Sequence, residues 1–430
     1  MPGRESTGMI ENVYCVDFGT SNSLLTAVID GEVMEAAPLD PFARDHTILR
    51  SVLFFPDNSK CFYGAEAVQE FVKHDMEGRF LRSVKKFLPS PGFAGTMIGS
   101  RNVPLEEIVG RFLAEMKKRA DAHYGEDVRS ILLGRPAKYS VNPDEDHLAE
   151  SRMDRAARFA GFDEVRFCPE PVAAAHGVQA TLKSEKLMLV GDFGGGTSDF
   201  TVIRIGPRNF RPSDVLSIGG VSVAGDALDG SMMRKRISPH FGSKVQYMAP
   251  FGSNVLTMPV HLMEKICSPA DIQMLRDRDT MEFFRSVRSW SLGPDDRQHM
   301  DQLHSLLTEQ FGFELFEEIE RVKRALSAAE SENFSFKYPG ISIQENILRP
   351  EFENYIGDAA ARIFGSLDDT LKEAGVTADQ IDLVCSTGGT AKVAAIQSGL
   401  EERFGKAKVE QRNNFHSIVQ GLATIAQSEA

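Results

Sequence analysis

Cysteine is scarce in this chain: Cys15, Cys61, Cys168, Cys267 and Cys385 are far apart, with no paired spacing. That excludes a zinc or disulfide framework as the organising principle, and it suits a reducing compartment. No apolar run approaches the roughly 20 residues that a membrane helix needs. Residues 1–11 are polar, lack the apolar core of a signal peptide and read as a loose tail. Positive charge is also short: 48 Lys and Arg against 61 Asp and Glu leave a formal charge of −13. Such a balance disfavours non-specific attraction to nucleic acid or to an anionic membrane surface. The expectation is a soluble, cytoplasmic protein without nucleic-acid or membrane partners. At 430 residues, two or more cores are the natural outcome.

What is present is one hairpin pattern, twice. Val13-Tyr-Cys-Val-Asp17-Phe-Gly19-Thr20-Ser21-Asn22 leads into a second apolar run ending at Ile29. Much later, Leu187-Met-Leu-Val-Gly-Asp192-Phe-Gly194-Gly195-Gly196-Thr197 leads into a run ending at Ile205. Each is an apolar strand, an Asp-Phe-Gly turn with small hydroxyl residues, and a returning strand. Three successive glycines between strands are costly unless a backbone must approach something closely. Backbone N–H groups in such a turn make an anion-binding concavity, and the leading aspartates Asp17 and Asp192 suit a hydrated divalent cation. A third turn, Thr387-Gly388-Gly389-Thr390, follows an apolar strand at Ile381–Cys385.

Between these motifs the periodicity predicts strands at 51–55, 129–134 and 164–169. It predicts helices over 65–74, 105–123 and 143–160, the last with Gly161 beyond its end. Lys183-Ser-Glu-Lys186 is a polar seam. Residues 238–310, rich in Met, Phe, His, Pro and Gly and holding the single Trp290, show little clean period and read as short helices and loops. Order returns with a charged helix over 313–329, strands at 334–338 and 341–344, and a helix over 350–374. Helices at 394–404 and 418–427 close the chain.

Taken together, the three turns resemble the actin-like ATPase superfamily, and most closely the nucleotide-binding domain of DnaK-type seventy-kilodalton heat-shock chaperones. Glu170-Pro171-Val-Ala-Ala-Ala175, Lys85 within Ser83-Val-Lys-Lys-Phe-Leu88, and Glu320-Arg-Val-Lys323-Arg324-Ala-Leu-Ser327 select that branch. The resemblance implies an α/β, actin-like fold of two ribonuclease-H-like lobes around a nucleotide cleft. Residues 12–184, with 410–430 returning to them, would form lobe I. Residues 185–409 would form lobe II, with an enlarged inserted subdomain at about 227–349.

The resemblance also implies a Mg-ATP-binding, slowly hydrolysing, chaperone-like ATPase. Asp17 and Asp192 would hold Mg²⁺, and Gly19, Thr20, Ser21, Asn22 and Gly194 to Thr197 would bind phosphates. Lys85, Glu170, Asp192 and Thr197 would serve catalysis. Gly225, Glu320, Lys323, Arg324, Ser327, Gly388, Gly389 and Lys392 would hold the adenosine of ATP or ADP. Lys86, beside Lys85, is a competing registration for the catalytic lysine.

The family's late Asn-Pro-Asp-Glu segment is Asn413-Asn414-Phe415-His416 here, and the tract before Glu320 is longer than usual. The chain ends at Ala430, where a linker and β-rich peptide-binding domain would follow, so it is similar to short chaperones of the YegD type. Lobe closure would then be read by a protein partner or co-chaperone, with the 238–312 tract as the candidate face. A small-molecule kinase and an actin-like filament protein are the alternatives within the superfamily.

Overall fold

The computed structural model describes residues 12–74, 77–136, 138–140, 142–179, 182–207, 211–250, 252–269, 271–411 and 416–429. The N-terminal tail and the 413–415 part of the late segment lie outside them. The chain divides into two compact units. The first comprises 1–221, 366–388 and 401–430; the second comprises 222–365 and 389–400.

Two central sheets with one topology build the first unit. In the first sheet the strand order is Glu164–Pro169, Ser130–Arg135, Val13–Phe18, Asn22–Ile29, Glu32–Val33, with Leu49–Arg50 also paired to Asn22–Ile29. In the second it is Val409–Gln411, Leu383–Thr387, Lys186–Phe193, Ser198–Ile205, Val215–Val221. In both, the first three strands run parallel and the last two return antiparallel. The repeat seen in the two hairpins therefore extends to whole sheets. This is the α/β architecture expected of an actin-like ATPase.

Side chains of Val13–Phe18 are all buried, and they alternate as a pleated strand requires. Tyr14, Val16 and Phe18 enter a core shared with Ile108, Phe112 and Met153, from the helices Leu105–Tyr124 and Pro143–Phe159. Val13 and Cys15 enter a second core, formed with Ala173, Val419 and Leu422 on one side and Met188, Val190 and Cys385 on the other. The helix Glu170–Gln179 packs against strands of both sheets, and His416–Glu429 packs on that helix and on the first sheet. A Cβ on Gly421 would lie 1.8 Å from the Ala173 carbonyl oxygen, so only glycine permits this crossing.

The second unit holds the helix Gly225–Met232, the helix Gly312–Leu326 and a hairpin of Ser331–Tyr338 with Ile341–Leu348. Phe334 and Phe336 alternate inward on one strand, Ile341, Ile343 and Ile347 on the other. Two expectations change here. The stretch 350–374 is two helices, Arg349–Tyr355 and Gly357–Glu373, broken at Ile356. Within 238–310 lie two helices of 13 residues, Arg278–Trp290 and Asp296–Thr308. The former carries Met281, Phe284, Val287 and Trp290 at helical spacing, and buries Phe284 and Val287. Among the described residues no helix is long and apolar enough to cross a membrane.

Candidate functional site

In the first unit the two hairpin turns close identically. Gly19 N–H donates to the Asn22 carbonyl at 3.0 Å, and Gly194 N–H donates to the Thr197 carbonyl at 3.0 Å. A Cβ on Gly19 would lie 2.3 Å from Asn22 O, so this turn cannot accept a larger residue. The turns face one another: the Cβ position of Gly196 is 3.7 Å from Thr20 Cγ2. Ser51 secures the first turn from below, donating its hydroxyl to Gly19 O at 2.7 Å and its N–H to Ser21 O at 2.9 Å. Gly388, with φ +88°, completes the group; a Cβ there would meet the Phe193 carbonyl oxygen at 2.2 Å.

Acidic side chains gather at the ends of these strands. Register pairs Asp17 with Gly134, and Asp192 with both Asp199 and Thr387. Thr387 Oγ1 donates to Asp192 Oδ1 at 2.9 Å, and Thr197 Oγ1 donates to Asp199 Oδ2 at 2.8 Å. Glu170 opens its helix, and its Cγ would lie 3.2 Å from a Cβ on Gly134. Its Oε1 accepts from Lys85 Nζ at 2.7 Å, and both side chains are buried. Lys86 is exposed, so of the two adjacent lysines Lys85 is the one at the acidic group.

Four carboxyl groups here face one ammonium, and the electrostatics register the imbalance. Burial raises Asp17 well above the ordinary carboxylate range, Glu170 adds to this, Lys85 opposes it and Asp192 adds further. Burial and Glu170 push Asp192 up to about 6, against the Thr387 hydrogen bond and Lys85. Asp199 is pushed up to about 8, chiefly by burial; the Thr197 hydrogen bond opposes the rise, and Asp192 and Glu170 add to it. Burial alone would lower Lys85, but Glu170, Tyr139 and Asp17 outweigh it and hold the ammonium above its usual value.

Excess buried negative charge of this kind fits a divalent cation. No group of three Asp, Glu, His or Cys among the described residues converges tightly enough to ligate a metal directly. Asp17 and Asp192 could hold such a cation through its water shell, the way Mg²⁺ is commonly bound.

Three members of this group were not evident from sequence. Asp199 was hidden as one alternating residue of an apolar strand. Tyr139 is buried, and its hydroxyl has no hydrogen-bond partner among the described residues. Arg135, stacked 5.2 Å over the Tyr139 ring, pairs with Asp146 at 2.9 Å and with Glu150. An Arg and a Tyr flanking the early Pro136 were the available signals.

The second unit holds the other predicted residues. Lys323 is buried and donates to Asp229 Oδ2 at 2.8 Å and to Gly225 O at 3.4 Å. Burial pushes Asp229 up to about 6 despite Lys323. Glu320 and Arg324 lie one turn apart with 3.9 Å between charged atoms, and Arg324 is exposed. Ser327 donates to Lys323 O at 3.5 Å. Gly389 and Lys392 are exposed at the short turn around Thr390–Lys392.

Removing Lys323 would leave Asp229 buried without its counter-charge. Breaking such a pair from one side commonly costs about 3–5 kcal/mol. Lys323→Ala is accordingly expected to unfold at lower urea, with Asp229→Asn added in the same chain restoring part of the loss.

The family model of the Hsp70 protein matches residues 57–241 and 302–428. The chain belongs to the Hsp70 family. Among curated relatives, it is 24% identical over 438 residues to "Chaperone protein HscA homolog" of Verminephrobacter eiseniae, covering 96% of this chain and 58% of that one. It is 25% identical over 443 residues to "Chaperone protein DnaK" of Thermus thermophilus, covering 96% of this chain and 60% of that one. The chain thus spans about three-fifths of these relatives' length. Residues 242–301 fall outside the Hsp70 match.

Proposed function

We propose that this Hsp70-family chain is a Mg-ATP-dependent, slowly turning-over chaperone-type ATPase that works in the cytoplasm with a protein partner. The observation that carries the reading is the buried Lys85–Glu170 pair, 2.7 Å apart, among three aspartates whose charge it does not balance. It stands beside two glycine turns of matching geometry. Family membership turns the reading away from a small-molecule kinase or a filament protein.

In this reading Asp17 and Asp192 hold hydrated Mg²⁺, which supplies charge neutralisation for the phosphates. The turns Gly19 to Asn22 and Gly194 to Thr197, closed by the Gly19 and Gly194 N–H groups, position the phosphate oxygens through their remaining N–H groups and the hydroxyls of Thr20 and Ser21. Glu170 accepts a hydrogen bond from the attacking water, and Lys85 places a fixed ammonium where negative charge develops. Asp199, with its raised pKa, is suited to hold or accept a proton near neutral pH. Gly225, Glu320, Lys323, Arg324, Ser327, Gly388, Gly389 and Lys392 are proposed to bind the adenosine.

The partner face is proposed on the tract outside the family match. Met248, Val255, Leu256, Val260, Met274 and Leu292 are exposed there, whereas Trp290 stacks on Tyr247 with ring centres 6.4 Å apart.

Titration calorimetry of Asp192→Asn with ATP, with and without Mg²⁺, tests the core of the proposal. The expected result is loss of the Mg²⁺-dependent part of binding and about a hundredfold slower hydrolysis. Wild-type protein that binds no ATP, or binds it indifferently to Mg²⁺ and to this substitution, would sink the assignment.

A further inference from the structure

Lys85 sits in a short 3-10 turn, Val84–Phe87, that has little regular structure to hold it. On its N-terminal side Ser83 adopts φ +55°, a left-handed conformation that non-glycine residues rarely take. On its C-terminal side the chain makes successive tight turns. Leu88 N–H donates to Lys85 O at 3.2 Å, Ser90 N–H to Phe87 O at 3.1 Å, and Phe93 N–H to Ser90 O at 3.2 Å. This winding aims three carbonyl oxygens at one point.

At that point lies Arg152, from the middle of the helix Pro143–Phe159 and more than sixty positions away in sequence. Its Nη1 donates to Phe87 O at 3.1 Å, Leu88 O at 2.8 Å and Ser90 O at 2.9 Å. Arg152 is only 5% exposed. Its Nε is 3.8 Å from Glu106 Oε1, a carboxylate that also pairs with Arg155 at 2.7 Å. The same helix grips the opposite flank of the group, where Asp146 accepts from the Tyr139 N–H at 2.6 Å.

A buried guanidinium is expensive to desolvate. One that spends its donors on carbonyls of an irregular segment holds that segment in a single conformation. The segment it holds carries the one lysine facing four carboxyl groups.

We infer that Arg152 is the positioning residue for Lys85. It fixes the backbone of 83–90 so that the ammonium stays on Glu170, and it therefore governs the rate of the chemical step rather than nucleotide affinity. The inference rests on the ATPase reading and adds to it a residue that touches neither phosphate nor metal. Misplacing a catalytic group by about 1 Å from a remote change can cost on the order of 10²-fold in rate.

The test compares wild type, Arg152→Met, Arg152→Gln and Arg152→Lys in three measurements. These are single-turnover ATP hydrolysis, Mg-ADP affinity by calorimetry, and hydrogen exchange of the nucleotide-free protein. Arg152→Met is expected to slow hydrolysis by about 10- to 100-fold with ADP affinity within about threefold of wild type, the split that marks a transition-state effect. Exchange should quicken at the Lys86 and Leu88 amides and stay unchanged along Ser130–Arg135. Arg152→Lys, which keeps the charge and three donors, should restore most of both, and Arg152→Gln less. If Arg152→Met fails to fold, the ordering Arg, Lys, Gln carries the same comparison.

An unchanged rate, a fall in rate matched by an equal loss of ADP affinity, or no rescue by Lys would overturn the inference. Lys85→Ala separates the two levels. If wild type itself turns over no ATP, the ATPase reading fails and this inference with it. If Lys85→Ala turns over like wild type, Lys85 is not the catalytic cation and the positioning role has nothing to position. If it is inactive while the Arg152 variants are normal, only the positioning role falls.

Discussion

Lys85→Ala is expected to lose at least about 10²–10³-fold in ATP turnover while binding Mg-ADP within about threefold of wild type. Lys86→Ala should be indistinguishable from wild type. The adjacent lysines differ in one respect that matters. Lys85 is buried against Glu170 and feels the Asp17 carboxyl, whereas Lys86 is exposed. An ammonium in that position opposes charge that develops only as the phosphoryl group transfers, so its loss appears in the rate and not in ground-state affinity. Glu170→Gln should behave similarly, since it keeps the shape of the side chain but removes the acceptor strength that orients a water.

There is a structural cost to separate from the chemical one. Removing Lys85 leaves Glu170, Asp17, Asp192 and Asp199 with no ammonium among them, and the nucleotide-free protein should melt earlier. Added Mg²⁺ with ADP should recover much of that stability without recovering turnover. Normal turnover in Lys85→Ala, or a rate loss confined to Lys86→Ala, would mean that another cation does the work.

Much of this site could be read from sequence because its parts are local. A strand, an Asp-Phe-Gly turn and a returning strand occupy fewer than twenty consecutive positions, and glycine's backbone freedom leaves a mark that other residues cannot. The sheet edges were not legible. Val215–Val221 carries Gly219 and Gly220, a pair that weakens a strand pattern, and a Cβ on Gly219 would lie 2.1 Å from Thr370 Oγ1. Packing rather than turning selected that glycine. The helix Arg349–Tyr355 was run together with its successor because the break is one residue, Ile356, marked only by the single glycine Gly357 after it. Lys85 is favoured over Lys86 in the sequence by resemblance alone; the 3-10 turn that buries one and exposes the other supplies the physical reason. Arg152 was invisible for a plainer reason: its meaning lies in contacts with residues more than sixty positions away.

The nucleotide-free protein should become more stable as pH falls from about 8.5 towards 6, and Asp199→Asn should remove much of that dependence. Asp199 is raised to about 8 and Asp192 to about 6, in both cases chiefly by burial, against an unfolded value of about 3.9. The folded state therefore holds protons that the unfolded state has released, and stability must rise as pH falls through the folded pKa values. Above about 8 the full penalty of buried charge is present; below about 4 both states are protonated and the effect ends. Carboxyl groups lowered in the folded state, such as Asp45 and Asp127, act oppositely but only within the ordinary carboxylate range. The two trends together place the maximum near pH 5–6.

Each pKa unit corresponds to about 1.4 kcal/mol, so neutralising Asp199 should add about 2–5 kcal/mol at pH 8. Asparagine preserves an oxygen to accept from Thr197 Oγ1, so the gain is not offset by a lost hydrogen bond. Urea unfolding at pH 6 and pH 8, in wild type and Asp199→Asn, measures both quantities. A variant less stable than wild type at pH 8, or one with the same pH slope, would show that Asp199 does not carry the strained charge. The stabilised variant should also hydrolyse ATP more slowly, because the charge that destabilises the empty site is what the site offers to a cation.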